Sequence, residues 1–378
     1  MQRRSLIEKI GEDTYNFASL EGGEERSQHV DAVLFGDSWV DGAWCGYPTW
    51  PMLLARKHEW ASLNVARCGA LVADGRDQLE TMLSQLEELG GKTDESTLWI
   101  VHFGGNDMLF GLLPSYIQMT MDVIRMHIIL STGGNAALHK WLLTANEHNS
   151  SWLTYFPRAG DKVAVDIVAF LDTLRARCNA KQFVVASNTI SSAMPLCRIM
   201  SNIMTPVRGL RILDMVALLV SARLTAHLAK FELESGTDVK VHFFDEAAVC
   251  VERRSEIKWR HDRFHPLEKN GHDILAQGCD DILCSSEAVK DIAAQKEGAL
   301  KQACLSSKNF AWGALDLLCS VTITAILAVP LGLIVTIIQF AMLVHPLCQR
   351  KSTNKDVYLE KKLVDVTACD VAPSPPPS

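Results

Sequence analysis

Four short stretches hold residue types that could together carry out acyl transfer. Gly36-Asp37-Ser38 places a hydroxyl directly after the apolar run Val33-Leu34-Phe35. A serine hydroxyl becomes a nucleophile once an adjacent base removes its proton. His261-Asp262-Arg263-Phe264-His265-Pro266 offers such a base. Asp262 and His265 are spaced so that both can face one direction in a tight turn or a first helical turn. The carboxylate can then accept Nδ1–H of His265 and leave Nε2 for the serine. Gly104-Gly105-Asn106-Asp107 ends a second apolar run. The Asn106 amide can donate to a developing oxyanion, a contact worth roughly 3 kcal/mol in an acyl-transfer transition state. Arg67-Cys68-Gly69-Ala70 follows a third run, and glycine there lets a backbone N–H approach a ligand. In this set Ser38 is the nucleophile, His265 the general base and acid, and Asp262 the group that orients the imidazole. The backbone N–H groups of Ser38 and Gly69 and the side chain of Asn106 form the oxyanion hole.

Each stretch also has a plainer reading. Ser38 can cap a helix, and Asn106 with Asp107 can form an Asx turn or a cap. Gly69 can be an ordinary turn glycine. A lone Asp-x-x-His is common in structural turns. His261 competes for the base role, but it adjoins Asp262 and should point elsewhere. His58 and His102 are the other candidates considered, and His102 on a buried strand reads as a packed core histidine. Trp39, Trp44 and Tyr47 either pack the interior or line a pocket mouth that binds substrate. The serine does not sit in a Gly-x-Ser-x-Gly elbow, because Val40 stands where the second glycine would be.

The elements that must position these groups alternate along the chain. Strands are expected at 31–36, 62–66, 97–103, 182–187 and 239–245. Helices are expected at about 49–56, 76–89, 161–178, 207–232 and 267–283. Leu79, Met82, Leu83 and Leu86 show the helical spacing most plainly. Such alternation predicts a parallel sheet of about five strands covered on both faces. The chemistry would then lie beyond the carboxyl ends of the strands.

On these blocks the chain resembles the GDSL lipase/esterase family of the SGNH hydrolase superfamily, over about residues 31–284. Gly36-Asp37-Ser38 with Asp41 resembles the serine block, Asn64 and Gly69 the glycine block, Gly104-x-Asn106-Asp107 the asparagine block, and Asp262-x-x-His265-Pro266 the last. Four blocks in the right order are specific where any one alone is not. The resemblance implies a flavodoxin-like three-layer α/β/α sandwich, ester hydrolysis through an acyl-serine, and the roles just assigned. The departures are mild: Arg67 and Cys68 precede Gly69 where small residues are more usual, and Trp39 follows the nucleophile. The family includes lipases, lysophospholipases, carbohydrate deacetylases and acyltransferases.

The expected function is therefore a serine ester hydrolase acting on a lipid or other hydrophobic ester, lipase- or lysophospholipase-like. The alternatives are an acyltransferase using the same triad and an inactive membrane-anchored binding protein. No cofactor is expected, and no Cys, Asp or His cluster completes a metal site. The 378 residues carry a net charge of -7, which argues against a nucleic-acid surface. Eleven cysteines without a CxxC pair read as ordinary thiols.

The expected layout is a polar leader over 1–29 without a secretory signal, and a hydrolase domain over 30–285 with a candidate lid at 108–160. A helical linker at 286–312, a transmembrane or re-entrant segment at 313–346 and a polar tail at 347–378 follow. From Leu317 to Val344 no residue is charged, and the run is longer than the ~20 residues of a helical span. A C-terminal membrane-associated segment, a membrane partner and a membrane location follow as expectations, with the catalytic domain favoured on the cytosolic face.

Overall fold

Four segments rich in Val, Ile, Leu and Phe, with the short Ser62-Leu63-Asn64, form one parallel sheet of the described residues. A computed structural model of the chain describes residues 29–110, 156–187, 191–198, 209–285 and 288–305, together with Arg125, Ile128, Ile129, Ala137 and Trp141. The chain divides into two units, Met1–Ala328 and Val329–Ser378, and the described residues belong to the first. The strands are β1 (Ala32–Gly36), β2 (Ser62–Asn64), β3 (Leu98–Phe103), β4 (Gln182–Ser187) and β5 (Lys240–Phe244), in the order β2-β1-β3-β4-β5. Every pairing is parallel.

Side chains alternate across the sheet because successive residues of a strand point to opposite faces. Val33, Phe35, Trp99, Val101, Phe183, Val185, Val241 and Phe243 share one buried cluster. Ala32, Leu34, Leu98, Ile100, Val184, Ala186 and Phe244 belong to the other. Both faces are thus dry, which is why the strands read as continuous apolar runs.

Helices supply the covering layers. On the first face lie residues of α3 (Gly75–Leu89), α5 (Phe156–Cys178), α6 (Gly209–Ser235) and α9 (Val289–Leu305). On the second lie residues of α2 (Trp50–Lys57), α7 (Glu246–Glu252) and α8 (Asp273–Leu283). Two short helices, α1 (Gly42–Cys45) and α4 (Gly105–Phe110), follow β1 and β3 directly.

Three expectations need correction. The helix expected from Leu267 begins only at Asp273. A π-helical turn, Glu268–His272, precedes it, broken by extended Lys269 and by Asn270 at φ 58. The second strand stops at Asn64 rather than at Ala66. The membrane-associated part of the expected fold also does not stand: among the described residues no helix is long and apolar enough to cross a membrane. The longest of them, α6, carries Arg223 and Lys230 and packs Leu219, Val220, Leu224 and Leu228 into the core. The fold is an α/β three-layer sandwich, and no described helix supports the expected membrane partner or the expected cytosolic-face membrane location. The run at 313–346 lies outside the described residues, as do the leader up to residue 28, most of the candidate lid and the tail.

The strand order sets the place for a site. From β1 the chain goes to β2 on one side, and β3 then pairs on the other side of β1. A crevice opens at such a switch point, beyond the carboxyl ends of the strands. β1 delivers Ser38 there and β3 delivers Asn106.

Candidate active site

Ser38 sits in the turn that leaves β1. Gly36 begins the turn under tight constraint: a Cβ there would lie 2.7 Å from the His102 carbonyl oxygen and 2.9 Å from Val40. Past the end of β2 the Arg67 N–H still donates to the Gly36 carbonyl at 3.1 Å, but the Gly36 N–H bonds to a side chain. Gln78 of α3 accepts from that N–H at 3.0 Å and also donates to Gly36 C=O at 2.8 Å. Asp37 then accepts from the Trp39 N–H at 3.1 Å.

The loop after β2 is tied to the same turn. Asn64 donates to the Val40 carbonyl at 2.9 Å. Asp41 accepts from the N–H of Cys68 at 2.7 Å and caps α1 through the N–H of Trp44 at 3.1 Å. Between these anchors Gly69 adopts φ +78, a left-handed conformation that glycine takes without strain.

Asn106 lies in the first turn of α4 and is buried. Its Nδ2 donates to the Ala70 carbonyl at 3.0 Å and lies 3.4 Å from Asp37 Oδ2. Asp107 accepts from the N–H of Val72 at 3.1 Å, joining α4 to the Gly69 loop. Burial pushes the Asp107 carboxyl up to about 6 despite that hydrogen bond.

Asp262 and His265 occupy a tight loop closed by the bridge between Trp259 and Pro266. Arg260 N–H donates to the His265 carbonyl at 2.8 Å. Asp262 Oδ1 accepts from the N–H groups of Phe264 at 2.8 Å and His265 at 3.0 Å, while Oδ2 faces His265 Nδ1 at 3.0 Å. Partial burial opposes charge on Asp262, but these hydrogen bonds outweigh it and hold its carboxyl well below the usual range. His265 Nε2 in turn meets Ser38 Oγ at 2.8 Å.

The structure therefore brings Ser38, His265 and Asp262 into one hydrogen-bonded line, with Gly69 on a loop tied to Asp41 and Asn106 in the first turn of α4 beside Asp37. His261 is exposed and makes no part of that line, and His58 pairs with Asp280 at 2.7 Å. Of the three aromatics considered for substrate, Trp39 is buried, whereas Trp44 and Tyr47 are part-exposed. The Trp44 ring lies 4.5 Å from that of His265, and the Arg260 guanidinium stands 4.7 Å over the Trp44 ring. Tyr47 donates to the Pro266 carbonyl at 2.6 Å. Among the described residues no group of three or more His, Cys, Asp or Glu side chains could hold a metal ion.

Four residues of this region carried no sequence signal of a role. Gln78 and Arg260 belong to no motif, and Glu246 lies just after β5 without flanking blocks. His102 was legible only as a core histidine; it is wholly buried but ion-paired, with Nε2 2.7 Å from Glu246 and Nδ1 3.3 Å from Asp37.

The model of the GDSL-like Lipase/Acylhydrolase family matches residues 34–273, a span that holds Ser38, Gly69, Asn106, Asp262 and His265. The chain belongs to that family. It is accordingly assigned to the GDSL/SGNH-type serine esterases and lipases. Among solved structures, the GDSL-like chain is similar to the crystal structure of phospholipase A1 from Streptomyces albidoflavus NA297. The two are 18% identical with a TM-score of 0.38, over 67% of this chain and 99% of that one. The comparison with curated proteins gives no match.

Proposed function

We propose that the chain is a serine ester hydrolase acting on a lipid or other hydrophobic carboxylic ester through an acyl-Ser38 intermediate. The observation that carries this reading is the continuous line from Ser38 Oγ through His265 to Asp262, at 2.8 and 3.0 Å. His265 Nε2 takes the Ser38 proton as Oγ attacks the carbonyl carbon, while Asp262 holds Nδ1–H and stabilises the imidazolium that forms. The oxyanion is received by the N–H groups of Ser38 and Gly69 and by the Asn106 amide. The long 3.4 Å contact from Asn106 to Asp37 is the one that yields to it. The C–O bond of the ester then breaks, and the proton on Nε2 passes to the leaving alcohol. In the second half His265 deprotonates water, which attacks the acyl-serine. The acid leaves and Ser38 regains its proton.

Preference for a hydrophobic ester is supported by the rings around the imidazole. Trp44 and Phe264 both lie within 5.1 Å of the His265 ring, centroid to centroid, and both are part-exposed. The test is turnover of p-nitrophenyl esters of increasing acyl length. The reading expects Ser38-dependent hydrolysis with kcat/KM rising from acetate to longer chains. Best turnover of acetate, falling with length, would contradict the hydrophobic-ester part.

A further inference from the structure

Beneath the Ser38 turn three ionisable side chains meet in the dry interior. His102 is 0%, Asp37 1% and Glu246 2% exposed. They come from three elements: His102 from β3, Asp37 from the exit of β1, and Glu246 from the first turn of α7. Their surroundings are apolar, since Trp39 stacks on the His102 ring at 6.2 Å and Trp50 flanks it at 6.2 Å.

A buried charge is costly unless it is paired, so this cluster needs an account. Both ring nitrogens of His102 face carboxylate oxygens, at 2.7 Å for Glu246 Oε2 and 3.3 Å for Asp37 Oδ1. The Glu246 contact is a hydrogen bond, whereas the Asp37 contact is an ion pair off hydrogen-bond geometry. A ring that faces an acceptor at each nitrogen is best served by a hydrogen on each, which is the imidazolium. Burial alone opposes that charge, yet Glu246 and Asp37 outweigh it and hold the His102 pKa up at about 10. Burial pushes the Glu246 carboxyl up, against the pull of His102.

Asp37 is the link to the chemistry. Its Oδ1 fixes the residue after the nucleophile through the Trp39 N–H, and its Oδ2 lies 3.4 Å from Asn106 Nδ2. An uncompensated negative charge at Asp37 would oppose a second negative charge forming on the substrate oxygen. It would also hold the Asn106 amide that must turn to that oxygen.

We infer that His102, oriented by Glu246, is a positioning residue for the oxyanion hole: it offsets and fixes Asp37, so that Asn106 is free to donate to the transition state. This rests on the reading of Ser38 and Asn106 given above. The role acts through Asp37 and Asn106, and His102 itself does not touch the substrate.

The test is a double-mutant cycle on the full chain, with p-nitrophenyl butyrate turnover and near-UV circular dichroism for each variant. His102→Gln should lower kcat about 10–100-fold with KM within about 2-fold, because the loss falls on the transition state. In an Asn106→Ala background the same change should cost less than about 3-fold, because residues acting through one another are not additive. Glu246→Gln should give a smaller loss of kcat that also shrinks in that background. If His102→Gln does not fold, the Glu246→Gln pair decides by the same comparison. Equal losses in both backgrounds, or a rise in KM at unchanged kcat, would overturn the inference while leaving the site reading intact. A wild type whose turnover survives Ser38→Ala would instead overturn the site reading on which the inference rests.

Discussion

Ser38 Oγ and His265 Nε2 lie 2.8 Å apart although 227 positions separate them in the chain. The distance is set by opposite ends of the fold. Ser38 is held by the exit of β1 and its Gln78 brace, and His265 by the loop closed at Trp259 and Pro266. Asp262 uses one oxygen to build that loop and the other to face the imidazole, so structure and proposed chemistry share one side chain.

That division of labour makes Asp262→Asn informative. The amide oxygen of Asn can still accept from the N–H groups of Phe264 and His265, so the loop should persist. Its NH2 would then face His265 Nδ1 and force the tautomer with hydrogen on Nε2, which cannot take a proton from Ser38. A fall in kcat of about 10³–10⁴ with little change in KM is expected. Steady-state kinetics check it, and a loss below about 3-fold would remove Asp262 from the orienting role.

Gln78 is a stability prediction. It is fully buried and serves both backbone groups of Gly36. Gln78→Ala strands a buried donor and should lower stability by about 1–3 kcal/mol. Urea unfolding should show a lower midpoint at an unchanged slope. A change below about 0.5 kcal/mol, the usual range of a surface substitution, would mean that the brace is dispensable.

Asp107 predicts a pH dependence. Its folded pKa is raised by burial to about 6, above the unfolded value of about 3.9. The folded chain therefore holds this proton more tightly. The contribution is fully present below about pH 4 and is lost as pH rises through the folded value. Asp107→Asn keeps an acceptor for the Val72 N–H but cannot ionise. Its stability relative to wild type should rise between about pH 4 and 7 by on the order of 1–3 kcal/mol. Parallel stability curves over that interval would contradict the assignment.

Much of the sheet was legible because its strands are buried on both faces and stand out as apolar runs. Gln182–Ser187 has the expected bounds, and Leu98–Phe103 differs by one residue. The helix ends were less so, since local backbone decides them. Asn270 in the left-handed region delays α8 to Asp273, and the pair Asn270-Gly271 is the turn signal, outweighed in the sequence by the helical pattern of the run. The Ser38, Asn106 and Asp262-x-x-His265 stretches could be read because each follows a strand or forms a compact motif. Their supports could not. Glu246 meets His102 across 144 positions and Gln78 meets Gly36 across 42, and such pairings depend on which helix lies over which strand. The uncharged run at 317–344 suggested a membrane span by length and composition alone, and no described helix has that character.

The central claim is that Ser38 is an activated nucleophile. The most direct measurement is covalent labelling by a serine-reactive fluorophosphonate, wild type against Ser38→Ala, with the labelled peptide located by mass spectrometry. Labelling of wild type at Ser38, absent from a folded Ser38→Ala variant, is the predicted result. Equal labelling of both proteins, or none of a folded wild type, would contradict it.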